Sequence, residues 1–110
     1  MISETLLQVK KKIEVADGID GKKKQELIEL LSRLQSEIEQ LAETNHEHAE
    51  SIAVFAQASA HEALRTQRQA RLHQLSLDGL ASAVKGIEAS HPELVKIVNA
   101  ISLALSNLGI

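Results

Sequence analysis

The sequence predicts an all-α helical bundle of about four helices, arranged as antiparallel hairpins within a single helical domain over residues 1–110. Three observations lead there. Leucine-type residues recur in alternating steps of three and four along most of the chain, the period of a helix face that is to be covered. From Lys22 to Asp78 the chain holds neither glycine nor proline, so the strongest helix breakers are missing from its middle. The 44% hydrophobic content includes a single aromatic residue, Phe55. Leu, Ile, Val and many Ala must therefore fill the core, a palette that suits helix seams.

The first helix is expected over residues 3–16. Ser3 is its N-cap candidate and Glu4 stands in its first turn. Leu6, Leu7, Val9 and Ile13 supply the apolar stripe, and Lys10, Lys11 and Lys12 fall in the last turns, where cations suit the dipole. Asp17-Gly18 stops the helix, with Gly18 as the left-handed residue.

A second helix is expected over 20–66, opening near Asp20. Leu27, Leu31, Leu34, Ile38 and Leu41 form a heptad seam, and the same phase runs on through Asn45, His48, Ile52 and Phe55. Thr44-x-x-Glu47 has the spacing of a capping box, so a break near 44 is the alternative. Nothing near Ala42 resembles a C-cap, and the continuous helix is the preferred reading. Ala49, Ala53, Ala56, Ala60 and Ala63 then repeat in steps of four and three. Alanine's helix propensity is the plainer explanation. Five successive seam positions favour instead a stripe that lets two helix axes approach closely.

Residues 65–71 carry no large apolar side chain and mark a turn. The third helix, expected over 69–89, brings Leu77, Leu80, Val84 and Ile87 onto a seam of new phase, with Leu72 and Leu75 alongside. Gly79 and Gly86, seven residues apart, are expected on one face of it, where a neighbouring helix comes close. Ser90-His91-Pro92-Glu93 is the clearest punctuation: Pro92 opens a helix over 91–108, and Ser90 with Glu93 has capping-box spacing. Leu94, Val98, Ile101, Leu105 and Leu108 form its stripe, with Gly109 and Ile110 as the closing cap.

The last stretch, IEASHPELVKIVNAISLALSNLGI, resembles the C-terminal signature of a small bacterial family, the domain-of-unknown-function family 4404. The features held in common are an N-terminal Leu-rich helix, an Asp-rich turn before a second helix, and an ending of the form EASHP…LSN-(Leu/Met)-Gly-Ile. The resemblance is specific over residues 87–110 and extends to 1–41; residues 49–65 resemble longer members and lie outside the minimal pattern. It implies an all-helical fold and carries no activity and no catalytic residues.

Composition bounds the function. With no cysteine, disulfides, thiolate metal sites and cysteine nucleophiles are excluded together. The N-terminus lacks the order of a signal peptide, and no apolar run reaches the ~18 residues of a membrane span; a cytoplasmic protein without membrane contact is expected. The net charge of −3 is unevenly laid out. Residues 1–24 hold six Lys against four acids, residues 25–62 one Arg against eight Glu, and residues 63–110 five basic residues against three acids. An acidic middle between basic flanks suits antiparallel pairing, within one chain or between two, although a solvated glutamate face is the simpler explanation.

Glu43-x-x-His46 and Glu88-x-x-His91 have the spacing used by di-iron helix bundles. Both pairs sit in polar surroundings, which favours a solvated face and a helix-junction role over a metal site. His46-x-His48 points apart on a helix, and His61 and His73 stand alone. No phosphate loop or nucleophile motif is present, so neither catalysis nor a cofactor is expected. Lys10, Lys11, Lys12, Lys22, Lys23 and Lys24 would gather at one end of a hairpin and could touch phosphates. The acids among them, the pI of about 5.9 and the lack of stacking aromatics make nucleic acid an unfavoured partner.

Partner helices are what the chain argues for. A helix over 22–66 would be ~68 Å long, longer than its neighbours can cover, and the bare part of its seam would be buried by a second chain. The expected function is a non-enzymatic helical interaction or scaffold protein that self-associates as a dimer or tetramer and meets an unidentified protein partner. A nucleic-acid-associated protein and a metal-binding bundle are the alternatives.

Overall fold

Helix α2 (Gly21–Thr44), 24 residues long, is the spine of the molecule. At ~1.5 Å per residue it spans ~36 Å, close to the longest dimension of 38 Å. The computed structural model describes residues 2–108. Around α2 it places α1 (Ile2–Val15), α3 (His46–Ala63), α4 (Ala70–Ala83) and α5 (Pro92–Ser106). The expected all-α class holds, with five helices and no strand among the described residues.

α1 lies antiparallel on α2, and three side-chain contacts set the register. Ser3 Oγ donates to Glu39 Oε2 at 2.9 Å, and Lys10 Nζ donates to Ser32 Oγ at 3.4 Å. Lys24 Nζ donates to the carbonyls of Glu14 at 3.0 Å and Ala16 at 2.8 Å, satisfying acceptors that the end of a helix leaves free. Ser3 is thus inside the helix and bound to α2, not its N-cap. The buried stripe is Ile2, Leu6, Val9 and Ile13, while Leu7 faces outward. Gly18, at φ 80°, makes the expected left-handed stop.

The expected continuous helix over 20–66 is broken at Asn45. Asn45, with φ −149° and ψ 79°, leaves helical geometry. Its side-chain oxygen accepts from the His48 amide at 3.2 Å, an N-cap bond. Thr44 does not cap α3; its hydroxyl donates back to the Leu41 carbonyl. A 68 Å rod would leave its seam in water, whereas the bend lays α3 back on α2 and α1.

α4 follows the turn expected at 65–71 and packs most extensively on α3. It ends at Ala83, not near 89. The amides of Val84 and Lys85 reach back only three residues, to Ala81 and Ser82, and Gly86 takes φ 93°. Gly86 therefore serves a turn and shares no helix face with Gly79. Pro92 opens α5 as expected, but the capping box does not form. The His91 amide bonds Ile87 O at 2.8 Å, closing a turn in which the Ser90 hydroxyl also donates to Ile87 O. His91, without a side-chain bond, takes the N-cap position. The expected cap at Gly109 and Ile110 lies outside the described residues. The radius of gyration, 13.0 Å, is the ~13 Å expected of a folded single chain of this length.

Candidate functional site

All ten seam residues, Leu27, Leu31, Leu34, Ile38 and Leu41 on α2 and Ala49, Ala53, Ala56, Ala60 and Ala63 on α3, are buried within one chain. α3 touches each of the other four helices. A helix so surrounded needs small side chains, and the alanine stripe meets that need. The bare seam from which oligomerisation was expected is absent, because the bend at Asn45 covers it.

The metal-spacing pairs fall apart. Glu43 lies in α2 and His46 opens α3 beyond the break, so the pair no longer shares one helix. His46 Nε2 instead approaches Glu50 Oε1 at 3.4 Å on the exposed side of α3. Glu88 accepts from the Gly86 amide at 2.9 Å, and His91 sits at the α5 junction. Among the described residues, no three His, Asp or Glu side chains converge as a metal ion would require.

The lysines diverge as well. Lys10 reaches Ser32 on α2, Lys12 Nζ comes within 3.5 Å of His61 Nδ1 on α3, and Lys24 is folded over the end of α1. Lys11, Lys22 and Lys23 are exposed. Arg65 Nη1 donates to Glu62 Oε1 at 2.9 Å in a half-buried pair.

Two further features stand out. His73 is 6% exposed, and neither ring nitrogen has a hydrogen-bond partner among the described residues. Burial pushes its pKa below the ordinary histidine value; the Arg68 charge acts in the same sense and Glu62 against it. The signal was legible, since His73 precedes Leu77, Leu80 and Val84 by the steps of the α4 seam.

The second feature is an apolar face across α3 and α4. Phe55 lies over Gly79 so closely that a Cβ there would clash with the edge of its ring. The close approach expected at Gly79 therefore occurs, made by a side chain of α3. Leu75 and Leu72 continue the Gly79 face of α4 toward its N-terminus, one turn apart. Phe55 is 38%, Leu72 43% and Leu75 52% exposed, and the helical spacing of 72, 75 and 79 puts the two leucines on the side of α4 that Phe55 covers.

No helix among the described residues is long and apolar enough to cross a membrane. Comparison with curated proteins and with solved structures finds no match. The family described as Domain of unknown function (DUF4404) matches residues 27–110. That range takes in the C-terminal signature and also residues 49–65, the stretch that resembles longer members. It joins α2 to α5 and omits α1. With more than half of its length matched, the chain belongs to this domain-of-unknown-function family.

Proposed function

We propose that the protein is a non-enzymatic helical interaction module of the cytoplasm that self-associates through the face formed by Phe55, Leu72 and Leu75. The observation that carries this reading is the exposure of these three apolar side chains beside the Phe55–Gly79 contact. These residues are large and apolar, stay partly exposed in the single chain and lie outside the buried core. Such a surface on a small domain favours a partner.

A second copy fits because the face is self-complementary. In an antiparallel pairing of two α4 helices centred on Leu75, Leu72 of one protomer meets the partner's Phe55, and Arg71 comes beside the partner's Asp78. The face is small, a few hundred Å², well under the ~1,200 Å² of stable complexes. A weak contact is expected, and dissociation constants on the order of 10–100 μM are the range the test covers. The histidines support a non-catalytic role by their scatter: His46 approaches Glu50, His48 is half-buried on α3, His61 adjoins Lys12, His73 is buried and His91 stands at a helix junction. The diverging lysines and separated Glu/His pairs favour neither nucleic acid nor metal.

Sedimentation equilibrium up to about 500 μM, a few times the top of that range, tests the reading. Leu75→Glu should leave the helical spectrum intact and give a monomer. Because the chain has no cysteine, Leu75→Cys should oxidise to a covalent dimer, as residue 75 meets its own copy on the two-fold axis. Leu103→Cys, on α5 and 65% exposed, is the control and should not. A 12 kDa species throughout, or equal cross-linking of the two variants, would overturn the proposal.

A further inference from the structure

α1 and α4 both pack on α3 without touching each other, so the flank of α3 facing α1 is a surface separate from the Phe55 face. A crevice runs along it. A depression of about 400 Å³ beside Val9 and Val15 of α1 meets one of about 580 Å³ that reaches Leu64, the two sharing Lys12. A third, of about 290 Å³, joins them at Lys12, Gln57 and His61 and is walled by Val54. Val15 is 78% and Val54 56% exposed, so apolar side chains in the crevice are open to water. Lys11 and Lys12 on α1 and Arg65 beyond α3 line it. The acid among them, Glu62, is already bound to Arg65 at 2.9 Å. Toward the start of α1 the crevice passes the Glu50 carboxylate, 3.4 Å from His46 Nε2, so the basic part of the crevice is its Lys11–Lys12 end.

We infer that this α1–α3 crevice is a docking groove for an acidic amphipathic helix of a partner protein. Apolar residues at helical spacing on the incoming segment cover Val15 and Val54, and flanking Glu or Asp side chains meet Lys11 and Lys12. The groove suits a helix over an extended strand. Its walls are helices whose backbone groups are already bonded, so a strand would find nothing to pair with. α1, 14 residues long, offers ~21 Å of groove, enough for three to four turns. This inference goes beyond self-association and uses a different surface, so the two can fail independently.

The test uses the full chain and three synthetic peptides of about 15 residues. One carries a Leu stripe flanked by Glu, one the same stripe flanked by Lys, and one the Glu composition with the stripe scrambled. Fluorescence anisotropy should show binding of the first alone, weakening as salt rises. Lys11→Glu with Lys12→Glu should cost at least about tenfold in affinity, and Val54→Glu should abolish binding; all three positions are exposed, and circular dichroism checks the fold. Leu75→Glu should bind the acidic peptide normally. Equal binding of Glu and Lys peptides, indifference to the lysine reversal, or no binding up to about 1 mM would each overturn the inference. So would loss of self-association in the lysine-reversed variant, because the occupant would then be a second copy, entering with its acidic α2.

Discussion

Gly79 sits inside α4 beneath the Phe55 ring, and that contact makes a quantitative prediction. In an open helix interior, replacing Gly with Ala stabilises by about 1 kcal/mol. Here the new methyl group needs space that the ring occupies. Phe55 is 38% exposed, so about 120 Å² of a side chain that can bury ~200 Å² is covered. At ~25 cal/mol per Å² this is worth about 3 kcal/mol as an upper value. The ring has solvent on its outer side and can swing away, giving up roughly half of that, about 1.5 kcal/mol. Gly79→Ala should therefore destabilise by about 0.5 kcal/mol in the native sequence. In a Phe55→Ala background it should instead stabilise by about 1 kcal/mol, for a coupling energy of about 1.5 kcal/mol. Urea unfolding followed by circular dichroism, at two protein concentrations so that association does not enter, measures all four corners of the cycle. Stabilisation of about 1 kcal/mol by Gly79→Ala in both backgrounds would refute the placement of the ring, and with it the face proposed for self-association.

Other positions carry predictions of their own. His73 has a lowered pKa, so the unfolded chain binds protons more readily; stability should be full above pH ~6.5 and fall as the pH drops below it toward the folded-state value. Unfolding at pH 7.5 and 5.5 should show that loss, and His73→Leu should remove it while stabilising the neutral protein by about 1–2 kcal/mol, since two orphaned ring nitrogens disappear. Asn45→Ala removes the oxygen that caps α3 and should cost about 1 kcal/mol; denaturant midpoints check this, with Thr44→Ala as a smaller effect. Gly86→Ala places a side chain at φ 93° and should cost about 1 kcal/mol or more in thermal unfolding, whereas Gly21→Ala, at the open start of α2, should be neutral or stabilising.

The helices and most of their buried faces were legible because periodicity reports which side of a helix must leave water. Leu27 through Leu41, the alanines of α3 and Leu94 through Leu105 are buried as their spacing required. The candidate surfaces were less legible. Leu72 and Leu75 looked like companions of the α4 seam, yet they lie outside it, and His73 occupies the inward position between them. A polar residue in phase with a seam is ambiguous from sequence, since its burial depends on what the neighbouring helix brings against it.

Residue pattern alone determined that the chain is helical, that its middle carries one long apolar seam, and that α3 must be approached closely by its neighbours. Which chain covers the seam was decided by the tertiary structure. A cap at Asn45 is worth only about 1 kcal/mol, too little to stand out from a helical phase that continues across it. The bend wins because it lets ten seam residues leave water within one molecule, a gain that appears only once α1, α2 and α3 are brought together in space. For the same reason the surfaces left for partners, over Phe55 and between α1 and α3, emerge only when the packing has used up the rest.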